Sequence, residues 1–202
     1  IRRGKPSLHV QFDESTAVLA GNALLIDAFK LLTSKIINEE FNIRIRLIER
    51  LAEVSGYKGM CGGQMADLLS QSNDFLKSEI LRLNSMKTAA IISFCCEAGG
   101  ILGGASEYEC KVLQEFGLDI GLAFQIIDDI LDVEGEENKT GKKVNKDNEL
   151  GKKNLVSNYG IKYSKNEAKR LINQANKNLN CVFGVKSEKL QRLAEFIIYR
   201  DR

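Results

Sequence analysis

Three aspartates crowd into Phe124-Gln125-Ile126-Ile127-Asp128-Asp129-Ile130-Leu131-Asp132. On a helix, Asp128 and Asp132 point the same way and Asp129 lies about 100° round. Carboxylates on an otherwise apolar helix are costly to bury unpaired. A surface-facing cluster is the plain alternative, but these residues interrupt the apolar run between Ile127 and Leu131. Oxygen donors without histidine suit a hard cation, magnesium rather than zinc. Magnesium keeps waters and shares its shell with substrate phosphates, so the pattern points to a magnesium-bridged phosphate or diphosphate. Such a site also needs cations. Lys142 follows Asp128 across the Gly135 break and could fold back over it. Lys87-Thr88 opens the glycine-rich stretch 88–105, where a lysine opposes the helix dipole. A bound anion resolves that conflict, and an exposed lysine is the alternative. Arg2 and Arg3 offer paired guanidiniums suited to diphosphate oxygens.

The elements that must position these groups read as helices. Val112, Phe116, Ile120, Phe124, Ile127 and Leu131 recur at helical spacing, predicting a helix of roughly 25 residues that begins near Ser106. Residues 14–34, 39–54 and 187–200 carry further stripes, the second including Phe41, Ile45, Ile48 and Leu51. Ser164 and Glu167 match a capping box ahead of a helix over 165–182. The stretch 88–105 approaches membrane-span length, but Glu97 and four glycines interrupt it, so it reads as a helix buried in a bundle.

Composition narrows the function. The 202 residues include one proline, Pro6, and one histidine, His9, which starves zinc sites and Ser-His-Asp chemistry of parts. Net charge is +2, against a globally basic nucleic-acid binder. Residues 139–170 hold ten Lys/Arg against three Asp/Glu, but only Tyr159 and Tyr163 could interleave with nucleic-acid bases. The five cysteines, without metal spacing, read as reduced and largely buried in a cytoplasmic protein. No linker or repeat divides the chain, so residues 1–202 read as one domain.

Together these segments resemble the trans-isoprenyl diphosphate synthases, the polyprenyl synthetase family, with the bacterial farnesyl-forming branch nearest in style. FQIIDDILD resembles the family's second aspartate-rich motif, Lys87-Thr88 its KT pair and Gly141-Lys142 its following GK. Arg2-Arg3-Gly4-Lys5-Pro6-Ser7 resembles the segment after its first aspartate-rich motif. Leu19-Ala20-Gly21-Asn22-Ala23-Leu24-Leu25 resembles AGDALL with asparagine for aspartate, and Gly62-Gly63-Gln64-Met65-Ala66-Asp67 resembles the GGQ-x-x-D helix. Gly151-Lys152-Lys153 resembles a late GK(x)T, with Asn154 in place of threonine.

The resemblance implies an all-α isoprenoid-synthase-type bundle with a central cavity, acting as a homodimer without stable membrane insertion and without nucleic acid. It implies condensation of an allylic diphosphate, dimethylallyl or geranyl, with isopentenyl diphosphate to give farnesyl diphosphate. Geranyl or geranylgeranyl synthesis, or a non-catalytic subunit of a heteromeric synthase, are the alternatives. By matching position, Asp128, Asp129 and Asp132 would hold Mg2+, with Asp128 the direct ligand. Arg2, Lys87 and Lys142 would hold the allylic diphosphate and Arg3 the isopentenyl diphosphate. Thr88 and Gln125 would present oxygen dipoles to the allylic cation, making them catalytic with Lys87, and Phe124 would pack beside the isopentenyl group. Gln64 and Asp67 would support the cavity wall, or form a purely structural pair. Arg200 would close over the isopentenyl site or be a solvated helix end, and His9 would be structural. The family's first aspartate-rich motif and its N-terminal helices would lie before Ile1, and with them the determinants of product length.

Overall fold

The computed structural model describes residues 5–69, 76–134 and 154–200. Arg2, Arg3, Lys142, the 151–153 segment and most of the expected loop 134–150 lie outside these residues. The described residues are helical, without a strand: α1 Leu8–Gln11, α2 Glu14–Thr33, α3 Phe41–Ser55, α4 Met60–Leu69, α5 Lys77–Asn84, α6 Ala90–Leu102, α7 Glu107–Glu134, α8 Leu155–Tyr159, α9 Ile161–Phe183 and α10 Glu188–Tyr199. A π-helical turn, Ser85–Ala89, joins α5 to α6.

The long helix α7 is the spar of the bundle, packed on α6, α9 and α10. Its stripe is where periodicity puts it: Val112, Phe116, Ile120 and Ile127 are buried. Burying one such side chain contributes about 1.5–3 kcal/mol. Ser106 starts the helix in earnest: its backbone N–H donates to Glu109 Oε2 at 2.7 Å and its hydroxyl accepts from Glu109 N–H at 3.3 Å. That is a reciprocal cap. A second apolar cluster joins Leu47, Leu51 and Val54 of α3 to Phe94 and Ile101 of α6 and Cys110 of α7.

Four expectations are corrected. The Ser164/Glu167 pair is no cap, because α9 already begins at Ile161 after Gly160, whose φ is +82°. The Ser164 hydroxyl donates to the Gly160 carbonyl at 3.0 Å, and Glu167 pairs with Arg170 and Lys77. In α3 the buried face is Leu47, Leu51 and Val54, leaving Phe41 and Ile45 exposed. Cys61, Cys95 and Cys181 are exposed, Cys96 is half-buried and only Cys110 is buried, so they are not core residues as a group. His9 lies exposed in the one-turn α1 and supports no core.

Glu97 is buried because it has a partner. Arg50 of α3 donates to Glu97 Oε2 through Nε at 3.0 Å and Nη2 at 2.9 Å. A buried carboxylate held this way is tolerated where a lone one would not be. The helix run Lys77–Leu102 and α2 are each long and apolar enough to cross a membrane by length and composition. The first packs on α7 and α3. Helix α2, capped by Asp13 accepting from Thr16 N–H at 2.7 Å, lies on α3 through Ala28, Phe29 and Leu32, and none of its residues is buried.

Two α7 glycines let α6 and the π-turn come into backbone contact. A Cβ on Gly117 would sit 2.5 Å from Ser93 Cα, and one on Gly121 2.6 Å from Ala89 Cα.

Between α7 and α9, Asp119 is held half-buried near Arg170, with Glu115 on the same helix. Burial pushes its carboxyl up to about 6; Arg170 opposes the shift and Glu115 adds to it. The folded chain therefore holds a proton that the unfolded chain releases at about pH 4. The contribution of this group to stability falls as pH rises from about 4 through about 6. Asp119→Asn is expected to gain more stability over wild type at pH 7.5 than at pH 4.5, measured by urea unfolding of the full-length protein. Equal effects at the two pH values would remove Asp119 as the cause.

Candidate active site

The first part of the site comes from α4 and the π-turn. Lys87 does not open a helix, as its spacing suggested, but sits inside the continuous run from Lys77 to Leu102. The π-turn closes with the Ala90 N–H donating to the Ser85 carbonyl, one residue wider than an α-turn. That extra residue sets Lys87 and Thr88 on the bulge. The lysine's charge is answered by a carboxylate rather than by a helix end: Nζ donates to Asp67 Oδ2 at 2.7 Å, both side chains being largely buried. Gly63, one turn before Asp67 on α4, makes this approach possible, since a Cβ there would lie 2.5 Å from the Lys87 backbone nitrogen. Gln64 is exposed, so Asp67 alone of the two faces the π-turn lysine.

The second part spans to α7. The Thr88 hydroxyl donates to Gln125 Oε1 at 2.9 Å, and Gln125 Nε2 donates to Asp129 Oδ1 at 2.9 Å. Gln125 and Asp129 are both buried. This relay fixes which way the amide faces, its oxygen to the threonine and its nitrogen to the carboxylate. The negative charge at its far end polarises the chain, raising electron density on the amide and hydroxyl oxygens.

The three aspartates divide. Asp129 is 2% and Asp132 5% exposed, whereas the Asp128 side chain is 40% exposed. Among the described residues no group of three or more His, Cys, Asp or Glu is arranged to hold an ion. The donor set still suits magnesium, which takes one or two carboxylates and fills its shell with water and phosphate oxygens. Asp128, half in solvent, has room for that shell.

Arg200 joins the site by a route that periodicity did not show. It is no solvated helix end: its side chain is 10% exposed, stacked on Phe124 with 3.8 Å to the ring centre and 3.6 Å from Asp128 Oδ1. The available signal was its place just after the apolar run Phe196-Ile197-Ile198. The structure thus brings together Lys87, Thr88, Phe124, Gln125 and the three aspartates. It leaves Arg2, Arg3 and Lys142 outside the described residues.

What this arrangement belongs to follows from its relatives. The chain is 39% identical over its whole length to the farnesyl diphosphate synthase of Bacillus subtilis, covering 68% of that enzyme. Its fold matches an apo FPP/GFPP synthase from Zymomonas mobilis with a TM-score of 0.85 and 37% identity, over 98% of this chain and 66% of that one. It matches a Helicobacter pylori geranyltransferase, complexed with magnesium and isoprenyl diphosphate, with a TM-score of 0.84 and 33% identity, over 98% of this chain and 64% of that one. The chain therefore spans about two thirds of the length of these relatives. The polyprenyl synthetase family profile matches residues 1–189, the full run of helices that carries the lysine, the relay and the aspartates, and the chain belongs to that family.

Proposed function

We propose that the full protein is a magnesium-dependent short-chain prenyltransferase. It condenses dimethylallyl or geranyl diphosphate head-to-tail with isopentenyl diphosphate to give farnesyl diphosphate and diphosphate. The observation that carries this reading is the Thr88–Gln125–Asp129 relay next to the Lys87–Asp67 pair. A cation on the π-turn suits a diphosphate leaving group, and polarised oxygens beside it suit the allylic cation left behind. The Bacillus relative, a farnesyl diphosphate synthase, supports the choice of product.

In this reading Lys87, with Arg2 and Lys142, grips the allylic diphosphate, and Arg3 grips the isopentenyl diphosphate. Thr88 and Gln125 turn their oxygens to the developing cation, and Phe124 packs beside the isopentenyl group. Asp128, Asp129 and Asp132 would hold magnesium, Asp128 directly. When bound, magnesium supplies positive charge to the departing diphosphate. The apolar helices exclude water from the cation. The open apolar face of α2, with Val18, Leu19 and Ile26 exposed, supports pairing of two copies as a homodimer. Five unpaired cysteines support a reducing, cytoplasmic setting.

The test is to incubate the full-length protein with isopentenyl diphosphate, dimethylallyl diphosphate and magnesium, then measure product chain length. A C15 product is expected. A C10 or C20 product would correct the product, and no product from folded protein would overturn the reading.

A second expectation concerns Asp67. A lysine released from its fixed partner gains freedom worth about 1–2 kcal/mol that binding must then remove. Asp67→Asn is expected to raise KM for the allylic substrate about tenfold while KM for isopentenyl diphosphate stays put. Equal rises for both substrates, in steady-state assays, would count against Lys87 as an allylic-site residue.

A further inference from the structure

Helix α10 ends at Tyr199, and Arg200 leaves it in extended backbone, φ −65° and ψ 143°. Its side chain turns back onto α7 and is almost wholly buried. Three contacts fix the guanidinium, and all fall on one turn of α7. It stacks over the Phe124 ring, Nη2 donates to the Phe124 carbonyl at 3.0 Å, and Nη2 lies 3.6 Å from Asp128 Oδ1. The Nε proton is buried without an acceptor among the described residues. Burying a charge with so few partners is unfavourable for folding alone. A solvated residue at the helix end would avoid that cost.

We infer that Arg200 is a positioning residue that clamps the Phe124–Asp128 turn of α7, setting the Asp128 carboxylate and the Phe124 ring in place for the reaction. The inference rests on the prenyltransferase reading. Its geometry demands arginine. A planar guanidinium can stack on a ring, donate in its plane to a carbonyl and still reach a carboxylate, whereas an ammonium has no plane to stack. The helix carbonyl it holds belongs to the residue one turn before Asp128, so the clamp acts on the helical turn that carries the carboxylate. A residue that only lent positive charge to a diphosphate would tolerate lysine and would show itself in KM.

The experiment compares Arg200→Lys and Arg200→Gln in the full-length protein. Arg200→Lys keeps the stem and the charge, so it remains informative should Arg200→Gln fail to fold. Both are expected to lower kcat by about tenfold to a hundredfold, with KM for isopentenyl diphosphate changed less than about twofold. In a separate titration, manganese binding with inorganic pyrophosphate, followed by electron paramagnetic resonance, is expected to weaken about tenfold in both variants. Wild-type kcat in Arg200→Lys, a loss confined to KM, or unchanged manganese affinity would overturn the clamp. If the wild-type protein makes no prenyl product, the proposed function falls, and the manganese titration still decides the role of Arg200.

Discussion

Replacing Asp128 with alanine in the full-length protein is expected to cut condensation by about 10³-fold or more while the helical circular dichroism and melting temperature stay close to wild type. The two halves of that expectation come from one fact, the half-exposure of the side chain. A carboxylate in partial contact with water contributes little to folding, and its ion pair to Arg200 is long and open to solvent on the carboxylate side, worth about 1 kcal/mol or less. The Arg200 guanidinium keeps its carbonyl acceptor and its aromatic stack. A direct magnesium ligand, by contrast, carries several kcal/mol of leaving-group stabilisation, and about 4 kcal/mol is three decades of rate. Turnover of radiolabelled isopentenyl diphosphate measures the first half and thermal melting the second. Undiminished turnover would remove Asp128 from the metal site. A collapse of the fold would mean that its role is structural after all.

The largest expected effect on stability belongs to Gly121. Adding one methyl there places a carbon 2.6 Å from the Ala89 Cα and 2.8 Å from its Cβ, and a backbone atom in a packed helix has nowhere to go. Overpacking of this kind costs about 1–3 kcal/mol, which lowers the melting temperature by several degrees in a domain of this size. Ala89 closes the π-turn that carries Lys87 and Thr88, so the helices must part where the relay crosses from Thr88 to Gln125. Gly121→Ala is therefore expected to lose both stability and activity. Gly99 provides the control, because a Cβ there meets nothing within 4 Å. Gly99→Ala, in the interior of α6, is expected to be neutral or to stabilise by about 0.5–1 kcal/mol. Similar melting temperatures for the two variants would show that the seam yields more readily than its distances imply.

Much of this was legible in the sequence where the information is local. The stripe on α7 announced itself because 3.6-residue periodicity is a property of the segment alone. The aspartates stood out because charge on an apolar face is costly wherever the chain folds, and Asp129 and Asp132 are buried. Short motifs were less trustworthy. Ser106-x-x-Glu109 caps a helix and Ser164-x-x-Glu167, of the same pattern, lies inside one. The difference is Gly160, whose positive φ lets the helix begin four residues earlier. Partners distant in sequence were invisible: Glu97 gave no sign of Arg50, nor Lys87 of Asp67, nor Asp128 of Arg200. Each of these pairs is decided by how helices cross, which no single segment encodes. The π-turn was hidden for another reason. Ser85-Met86-Lys87-Thr88-Ala89 has ordinary helix-compatible composition, and its widening becomes visible only against the helices on either side.

That wide turn also has an evolutionary reading. A π-turn is what a helix makes of one residue too many, absorbing the surplus locally so that the segments before and after keep their facing. The helix run from Lys77 to Leu102 thus separates two tasks that a regular helix would bind together. Its flanks answer to packing, with Ile80 in one apolar cluster and Phe94 and Ile101 in the other. Its bulge sets out Lys87 and Thr88, with Ala89 closing it against Gly121. A single inserted codon is enough to create such a bulge without disturbing a core already in place, and a single deletion is enough to erase it. Lineages sharing this bundle could therefore gain or lose a lysine-threonine protrusion in one genetic step while the scaffold around it persists.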